Sequence, residues 1–357
     1  MDTEIIKLEK ESREGIFGRA DLEKLIRAGE IIKKGGLVAF PTETVYGLGG
    51  NALDPEASKK IYEAKGRPSD NPLIVHIAEW DAVRKIAKEI PEDAEKLAES
   101  FLPGPLTMVL KKTDIVPAET TGGLDTVAVR LPSNRIARAL IREAGGYVAA
   151  PSANISGRPS PTEVKYVIED MMGRIPAIID GGEGEIGLES TIIDMTISPP
   201  QVLRPGFITS EMLSGVLGRD IQIDSAVINA DSKQPPRAPG MKYRHYAPRG
   251  ELVIVEGNDD AVISKINELI AEDRRGGFKT GVMSCDENGN RYNADVIKLT
   301  GPFGDQKAAA HRLYSLLRSF DDEEVSRIYA ESFSSDGFGA AIMNRLLKAA
   351  GHRVIRV

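Results

Sequence analysis

Two cationic side chains lie on a short segment that is rich in turn-forming residues. Lys65 and Arg67 are followed by Pro68 and Pro72, and the apolar run 73–77 comes directly afterwards. An arginine offers a fork of donors and a lysine a point charge, and the two together suit the phosphates of a nucleotide. The two prolines stiffen the segment. We therefore interpret it as a phosphate-binding loop, in preference to a loop that carries two ordinary surface charges.

A second polar segment, 150–162, follows a predicted strand. It carries short polar side chains at Ser152, Asn154, Ser156, Ser160 and Thr162. Loops at the carboxyl ends of strands bind ligands in open α/β sheets, and short polar side chains with free backbone N–H groups form anion-binding concavities. The same residues are also typical of the region that caps a helix, here one beginning near Thr162. Both roles can hold together.

Other patterns are weaker. The segment 47–52, GLGGNA, formally matches a dinucleotide fingerprint, but PTETVY separates it from the preceding strand and the next helix begins only at Pro55. We expect instead a tight turn that lets the backbone approach a ligand. One predicted strand begins at Ser190 and Thr191, and two others end at Arg130 and Arg204. The sequence contains no P-loop, G-x-S-x-G or H-E-x-x-H pattern. The residues alone thus predict an α/β protein that handles a nucleotide or a phosphate.

Composition narrows the class of protein further. The 357 residues have a formal net charge of -7 and include one cysteine, Cys285, and four histidines far apart in sequence. A disulfide framework and a cysteine-based zinc site are excluded. The acidic balance argues against a general nucleic-acid binder, although a local basic groove remains open. No stretch approaches the roughly 18 apolar residues of a membrane span, and the N-terminus does not resemble a secretory signal, so we expect a cytoplasmic protein.

Hydrophobic periodicity predicts alternating helices and strands in the first part of the chain. Asp21 is a candidate cap for a helix with apolar residues at 22, 25, 26 and 32, and Asp54-Pro55 begins another helix that runs to Gly66. A helical stretch with a break at Pro91 covers 81–101, and further helices are expected at 133–144 and 162–172. The predicted strands are 37–41, 73–77, 106–112, 126–132, 147–151, 177–182, 190–195 and 201–204.

The remainder divides into a linker and a small domain. Residues 224–250 show little periodicity and are rich in proline and polar residues. From 251 onward, strands alternate with helices, which argues for a small parallel doubly wound sheet. We predict an α/β protein with a first domain at 1–215, a linker at 216–249, and a second domain at 250–357.

Four motifs in order, FPTETVYGLG, KGRPSDNPLIVH, APSANISGRPSPT and ESTIIDM…LRPG, resemble the YrdC-like domain of threonylcarbamoyl-adenylate synthases. The segment PGMKYRHYAP, followed by a small α/β domain, resembles the longer form of that family. The resemblance covers nearly the whole chain. It implies a YrdC-like twisted mixed-sheet domain and a smaller Rossmann-like C-terminal domain with a mainly parallel sheet.

The resemblance also implies a reaction. The amine of L-threonine captures bicarbonate or CO2 as a carbamate, which attacks the α-phosphorus of ATP and releases diphosphate. A partner transferase then passes the threonylcarbamoyl group to adenosine 37 of tRNAs that read ANN codons. Magnesium is expected with the ATP, no organic cofactor is implied, and tRNA contact by this chain would be weak.

Site residues carry over by motif. Lys65, Arg67, Ser152 and Asn154 match the family's K-x-R…S-x-N signature, with Lys65 and Arg67 as the catalytic pair. The resemblance implies further ATP contacts at Asn71, Thr126, Ser160 and Arg204, and a threonine pocket of Thr44, His76, Arg130 and Ser190. Tyr243 and His245 would fold back over the nucleotide as a lid. Without the resemblance, His76 on its strand would be interpreted as a satisfied core histidine.

Two other functions remain possible at this point. An RNA-binding maturation factor would share the concave YrdC-like surface, but the net charge and the lack of interleaved aromatic residues argue against it. A carbamoyl transferase would carry a related domain, but it would also carry zinc fingers, which a single cysteine excludes.

Overall fold

The computed structural model describes residues 2–9, 15–228, 237–238, 245–334 and 336–357. They form two compact units. The first comprises Met1–Ser156 and Ser160–Lys242, and the second comprises Gly157–Pro159 and Tyr243–Val357. Of the predicted lid residues, Tyr243 lies outside the described residues, whereas His245 lies inside them. No helix in the described ranges is long and apolar enough to cross a membrane.

The first unit is built on one mixed sheet of ten strands. The strands are β1 (Glu4–Lys7), β2 (Val38–Phe40), β3 (Gly47–Asn51), β4 (Ile74–Ile77), β5 (Leu106–Lys111), β6 (Thr126–Arg130), β7 (Tyr147–Ala150), β8 (Ala177–Asp180), β9 (Thr191–Asp194) and β10 (Gln201–Arg204). Their spatial order is β1-β8-β2-β3-β7-β4-β6-β5-β9-β10, with both parallel and antiparallel pairs. The predicted mixed sheet is confirmed, because the ten strands include both parallel and antiparallel pairs.

Helices connect and cover these strands. They are α1 (Arg19–Lys33), α2 (Pro55–Lys65), α3 (Val83–Ile86), α4 (Glu92–Phe101), α5 (Ala118–Thr121), α6 (Arg135–Glu143), α7 (Val164–Met171), α8 (Ser210–Leu217) and α9 (Ser225–Ile228). A 3₁₀ turn at Trp80–Ala82 precedes α3. The predicted helical stretch 81–101 therefore consists of part of this turn, the short helix α3 and, after Pro91, the helix α4. The sequence prediction did not include β1, α8 or α9.

Apolar side chains fill both faces of the ten-stranded sheet. Along β2, Val38 and Phe40 belong to one buried cluster, whereas Ala39 belongs to the other. This alternation follows from the period of two along a strand. The first cluster includes Leu25 of α1, and the second includes Ile61 of α2. The strands that carry the candidate site residues are therefore held from both sides.

The ends of α2 follow from local sequence, as predicted. The side chain of Asp54 accepts a hydrogen bond from the backbone N–H of Glu56 at 2.9 Å, and Pro55 occupies the first helical position. A proline there costs no hydrogen bond, because that N–H would lack a helical partner in any case. Gly66 ends the helix with a φ of 60°, in the left-handed region. This end places Lys65 and Arg67 on either side of a sharp turn.

The predicted start of α1 was wrong, whereas two of its four predicted apolar positions, Leu25 and Ile32, are buried. The helix begins at Arg19, and Asp21 is a buried residue of its first turn, where its carboxylate accepts from the backbone N–H of Glu9 at 2.9 Å. Leu22 and Ile26, the other two apolar positions of the predicted pattern, are each 41% exposed. The buried face includes Gly29 instead. A Cβ atom at Gly29 would lie 2.6 Å from Cβ of Glu143 on α6, so a small residue is needed for the close approach of α1 and α6.

The glycine-rich segment 47–51 is a strand, β3, and the predicted tight turn was wrong. It pairs with β2 on one side and with β7 on the other. The glycines leave room for neighbouring side chains: a Cβ atom at Gly49 would lie 2.8 Å from Cε1 of Phe40 and 2.9 Å from Cγ1 of Val148. Glycine is unfavourable in strands in general, so it is this close packing that requires it here.

The second unit contains a five-stranded sheet in which all the pairs are parallel. Its strands are β11 (Glu251–Glu256), β12 (Thr280–Ser284), β13 (Val296–Leu299), β14 (Arg327–Glu331) and β15 (Val354–Arg356), in the order β13-β12-β14-β11-β15. Its helices are α10 (Asp259–Arg275), α11 (Gln306–Asp322) and α12 (Gly337–Ala349), with a 3₁₀ turn at Gly289–Arg291. The predicted strand–helix alternation of this domain is confirmed.

Within the second unit, Gly157–Pro159 is held by buried hydrogen bonds. The fully buried Arg318 of α11 donates to the carbonyl oxygen of Pro159 from Nε at 3.0 Å and from Nη2 at 2.7 Å. The backbone N–H of Ala247 donates to the carbonyl oxygen of Gly157 at 2.8 Å. These bonds explain why three residues from the middle of the predicted polar loop group with the C-terminal part of the chain.

Gly49→Ala should lower the free energy of unfolding of the first unit by about 1–3 kcal/mol, the usual cost of overpacking a core. The added methyl group has no space between Phe40 and Val148. Urea unfolding followed by the fluorescence of Trp80, the single tryptophan, measures the effect in this unit. Gly215→Ala is the matched control. An added Cβ meets no atom within 4 Å there, and alanine favours the helix by up to about 1 kcal/mol. Equal stability of Gly49→Ala and wild type would contradict this packing.

Candidate functional site

Lys65, at the end of α2, holds the backbone of the polar loop that follows β7. The side chain is 2% exposed. Its Nζ donates to the carbonyl oxygens of Ser152 at 2.5 Å and Asn154 at 2.6 Å, and the backbone N–H of Ser156 donates to the carbonyl oxygen of Lys65 at 2.9 Å. The two halves of the K-x-R…S-x-N pattern, far apart in sequence, therefore meet around one buried ammonium group.

The loop around Ser152 is fixed from within as well. The hydroxyl of Ser152 donates to Oδ1 of Asn154 at 2.5 Å, and Nδ2 of Asn154 donates to the carbonyl oxygen of Ile155 at 2.8 Å. The backbone N–H of Ala153 donates to the carbonyl oxygen of Tyr46 at 2.8 Å. A loop that is held in this way offers its hydroxyl and N–H groups in one geometry, which favours binding of an anionic ligand.

Arg67 and Asn71 occupy the next turn of the chain. Nη2 of Arg67 donates to the carbonyl oxygens of Asn71 and Pro72, both at 3.2 Å. Asn71 is 1% exposed, and neither atom of its side-chain amide has a hydrogen-bond partner within the described part of the chain. The hydroxyl of Tyr62 also donates to the carbonyl oxygen of Asn71 at 3.2 Å, and burial raises the pKa of Tyr62 to about 12. An unpaired buried amide is costly, so these two atoms are suited to a ligand.

A buried ion pair forms the centre of a second group of residues. Nη2 of Arg130 lies 2.8 Å from Oε1 of Glu43 and donates to the hydroxyl of Thr44 at 2.9 Å. The side chains of Arg130 and Glu43 are 5% and 3% exposed. Thr42 supports Thr44, with 2.9 Å between the two hydroxyl oxygens. Arg130 ends β6 and Glu43 follows β2, so the sheet brings together two charges that are distant in sequence.

The ion pair retains one donor and one acceptor. Among the described residues, Nε of Arg130 and Oε2 of Glu43 have no hydrogen-bond partner, although both atoms are buried. A guanidinium N–H is suited to a carboxylate, and a carboxylate oxygen is suited to an ammonium group. The pair is thus complementary to a small zwitterion, which carries both groups a few bonds apart.

His76 lies beside Arg130 on the neighbouring strand. The two residues are register partners in the parallel pair of β4 and β6, and Nδ1 of His76 is 3.1 Å from the carbonyl oxygen of Ile74. Burial, and then the charge of Arg130, lower the pKa of His76 to about 3. The imidazole is therefore neutral near pH 7. It can donate or accept a hydrogen bond, but it does not add positive charge to the site.

Ser190 and Arg204 meet, although the resemblance assigned them to different ligands. Nη2 of Arg204 donates to Oγ of Ser190 at 3.1 Å, and its Nε donates to the carbonyl oxygen of Ser190 at 3.0 Å. Oγ of Ser190 lies 2.7 Å from the hydroxyl oxygen of Thr107, whose register partner in the pair of β5 and β6 is Arg130. Arg204, which the resemblance assigned to ATP, therefore contacts Ser190, which the resemblance assigned to the threonine pocket.

The segment that follows β2 connects the two groups. The carbonyl oxygen of Glu43, a residue of the ion pair, accepts a hydrogen bond from the backbone N–H of Ile186 at 2.8 Å. Three residues later the backbone of Tyr46 bonds both Ala153 and Pro161, each at 2.8 Å. A displacement of this segment would thus disturb the buried ion pair and the polar loop together.

Of the remaining predicted site residues, only Ser160 makes a described side-chain hydrogen bond to another residue of this region. The hydroxyl of Ser160 donates to Oε1 of Glu189 at 2.6 Å. Thr126 begins β6 and Arg130 ends it, which separates them by about 13 Å along a strand, and no described side-chain hydrogen bond brings Thr126 to either group. His245 belongs to the second unit, where its ring lies 5.6 Å from that of Tyr246. The roles of Thr126, Tyr243 and His245 stay predictions.

The sequence interpretation missed three residues of this region, Glu43, Thr107 and Glu189. A signal was available for Glu43, since a carboxylate two residues after the predicted buried strand 37–41 and next to Thr44 needs a cationic partner if it is buried. Thr107 carries no comparable signal, because it becomes a site residue only through its register with Arg130. Glu189 lies beside Ser190 in a motif that we had noted only for its hydroxyl groups.

Known proteins are similar to this chain over nearly its full length. Residues 30–206 match the family model described as "Telomere recombination", and residues 208–351 match "Threonylcarbamoyl-AMP synthase, C-terminal domain". The chain is similar to the threonylcarbamoyl-AMP synthases of Pyrococcus abyssi, at 52% identity over 94% of this chain and 96% of that one, and of Bacillus subtilis, at 48% over 93% and 94%. The similarity therefore extends over nearly the full length of both relatives.

A solved structure is similar over the same length. It is described as P. abyssi Sua5 complexed with L-threonine, and it matches with a TM-score of 0.92 and 50% identity, over 99% of this chain and 100% of that one. Both domains of the fold are thus shared with a threonylcarbamoyl-AMP synthase. The chain belongs to the threonylcarbamoyl-AMP synthase family, in its two-domain form.

Proposed function

We propose that this chain converts L-threonine, bicarbonate or CO2, and ATP into threonylcarbamoyl-AMP and diphosphate. The observation that carries the proposal is the buried pair of Arg130 and Glu43, with an unused donor on one side chain and an unused acceptor on the other. A P. abyssi relative is described as binding L-threonine. The reaction is an adenylyl transfer, so the enzyme would be a nucleotidyltransferase.

The amino acid would bind to the ion pair as a zwitterion. Nε of Arg130 is available to the threonine carboxylate, and Oε2 of Glu43 is available to the ammonium group. The hydroxyl of Thr44 accepts from Arg130, and the hydroxyl of Ser190 contacts that of Thr107, the register partner of Arg130. Both hydroxyls would contact the polar atoms of the substrate. Neutral His76 would add a hydrogen bond without competing for the carboxylate. Two charged anchors would fix the amine in one orientation, which is the main requirement for a reaction between bound substrates.

The chemical step begins when the ammonium group loses a proton. The free amine attacks CO2, or bicarbonate with loss of water, to give the carbamate. A carbamate oxygen then attacks the α-phosphorus of ATP, the bond to the β-phosphate oxygen breaks, and diphosphate leaves. Catalysis of such a transfer consists mainly of positioning and charge stabilisation. Arg67, the fixed loop at Ser152 and Asn154, and the unpaired amide of Asn71 are the groups that support this role.

Magnesium would bind with ATP through the phosphate oxygens and would neutralise the charge of the departing diphosphate. The described residues contain no group of three or more His, Cys, Asp or Glu side chains that could hold a metal ion. This donor set fits a metal bound chiefly by its substrate, because magnesium keeps several waters and is often held through phosphates. The protein would then contribute by holding the phosphates with Lys65 and Arg67.

The predicted linker, 216–249, would act as a lid that brings Tyr243 and His245 to the nucleotide. A closed lid would exclude water, which hydrolyses both carbamates and mixed anhydrides. The product would pass to a separate transferase that modifies adenosine 37 of ANN-decoding tRNAs, with at most weak contact between tRNA and this chain. We propose a cytoplasmic location for the protein, because its product would be used to modify tRNA.

Arg67→Ala should lower kcat/KM for ATP by about 10²–10³-fold, the usual effect of removing one group that stabilises developing charge. Diphosphate release at varied ATP measures this. The matched control is Arg142→Ala, which removes a half-exposed arginine that pairs with Glu79 on the surface. Lys65→Ala should also abolish turnover, but Lys65 is buried and anchors the polar loop, so Arg67 is the cleaner probe. If Arg67→Ala keeps wild-type kinetics while folded, the phosphate site is misassigned.

Glu43→Gln should raise KM for L-threonine at least tenfold and leave KM for ATP within about twofold, since a charged hydrogen bond is worth about 1.5–3 kcal/mol. The amide oxygen of glutamine can still accept from Arg130, so the arginine should stay in place. Glu79→Gln removes the same charge from a surface ion pair and serves as the control. An unchanged KM for threonine, or an equal rise for both substrates, would speak against a zwitterion site at this pair.

A further inference from the structure

The second unit contains a cavity of about 470 Å³ that has no part in the proposed reaction. It opens at the carboxyl ends of the parallel strands. Glu256 ends β11, Ser284 ends β12 and Glu331 ends β14, and all three line it. Thr300, which directly follows β13, lines it as well. A cavity of this size is within the range of sites for small organic ligands.

The connectivity of the sheet explains why the cavity lies here. β12 and β14 are neighbours in the order β13-β12-β14-β11-β15. After β12 the chain continues to β13 at one edge of the sheet, whereas after β14 it continues past β11 to β15 at the other edge. Connections that leave adjacent strands in opposite directions open a crevice between them, and ligands of doubly wound folds bind in that crevice.

The charge of the lining selects the ligand. Four carboxylates line the cavity, from Glu256, Asp259, Asp305 and Glu331, and its described lining contains no lysine, arginine or histidine. Two of the four have structural roles: Glu256 pairs with Arg356 at 3.0 Å, and Asp305 accepts from a backbone N–H at the start of α11. The argument therefore rests on Glu331, with Asp259 as support. A phosphate or a carboxylate would be repelled here.

The carboxylate of Glu331 accepts hydrogen bonds from several neutral donors. Its Oε1 accepts from Oγ of Ser284 at 3.2 Å, Nδ2 of Asn288 at 3.0 Å and the hydroxyl of Tyr292 at 2.7 Å, and its Oε2 accepts from the backbone N–H of Cys285 at 2.9 Å. Burial, and then the charge of Glu331, raise the pKa of Cys285 to about 11. Oε2 of Glu331 accepts only the described hydrogen bond from Cys285, and a carboxylate oxygen can accept a second one from a ligand.

The walls of the cavity also contain apolar side chains. They include Val262, Met283, Phe303 and Phe333. Phe303 is 69% exposed, which is unusual for a phenylalanine and leaves its ring free to cover a ligand. An aromatic ring attracts both apolar groups and cations. Apolar walls with a carboxylate among them suit a molecule that is cationic at one end and apolar at the other.

We propose that this cavity binds a small organic cation, an amine that carries an apolar or aromatic group, through Glu331 and the ring of Phe303. The proposal does not depend on the proposed reaction, because all of the lining residues belong to the second unit.

The test uses the full chain with 2-phenylethylamine as the probe, and with 2-phenylethanol and 3-phenylpropanoate as its neutral and anionic counterparts. The resonance of the Met283 methyl group in methyl-labelled protein, assigned with Met283→Leu, reports binding at this cavity. We expect saturable shifts with the amine, at an affinity at least tenfold above that of the alcohol, and no shift with the carboxylate. Glu331→Gln should remove the preference for the amine, and Phe303→Ser should weaken binding of the amine and the alcohol alike.

Glu268→Gln is the matched control, because it removes an exposed carboxylate of α10 that does not line the cavity. Phe303→Ser changes an exposed side chain, so it tests the site even if Glu331→Gln does not fold. All three variants should release diphosphate at the wild-type rate, which separates this test from that of the reaction. An unshifted Met283 signal at saturating amine, equal binding of amine and alcohol, or an unchanged preference in a folded Glu331→Gln variant would overturn the proposal.

Discussion

The site depends on the buried ion pair between Arg130 and Glu43. Removal of two such charges from water costs several kcal/mol per ion, and loss of one partner typically destabilises a protein by about 3–5 kcal/mol. The pair is tolerated because both partners are held: Arg130 ends β6 between His76 on β4 and Thr107 on β5, and the backbone N–H of Ile186 donates to the carbonyl oxygen of Glu43. Nε of Arg130 and Oε2 of Glu43 have no described partner, so both would be available to the proposed substrate without a rearrangement of either side chain.

The same constraint extends to the nucleotide region through the segment after β2. Glu43 and Tyr46 are three residues apart, and their backbones bond Ile186, Ala153 and Pro161. Lys65 fixes the polar loop from the other side through the carbonyl oxygens of Ser152 and Asn154. Two buried cations thus perform different tasks. Arg130 would bind the proposed substrate, whereas the ammonium group of Lys65 holds the loop that would bind the phosphates.

Local signals predicted much of the fold. The cap at Asp54, the stop at Gly66 and the alternation of the C-terminal domain follow from neighbouring residues, and the structure confirms them. The errors concern packing. The strand at 47–51 needs glycine because of Phe40, and the buried face of α1 is set by the contact of Gly29 with α6, neither of which is visible in a single sequence. In the site, the motifs predicted Arg130, but its partner Glu43 emerged only from the sheet.

The most direct test of the account is diphosphate release from ATP and magnesium, with L-threonine and bicarbonate each supplied or omitted. We predict release only when both are present, together with a product whose mass equals that of threonylcarbamoyl-AMP and increases when ¹³C-labelled bicarbonate is used. Release that does not depend on threonine, or a product that does not incorporate the label, would contradict the proposed chemistry at Arg130 and Glu43.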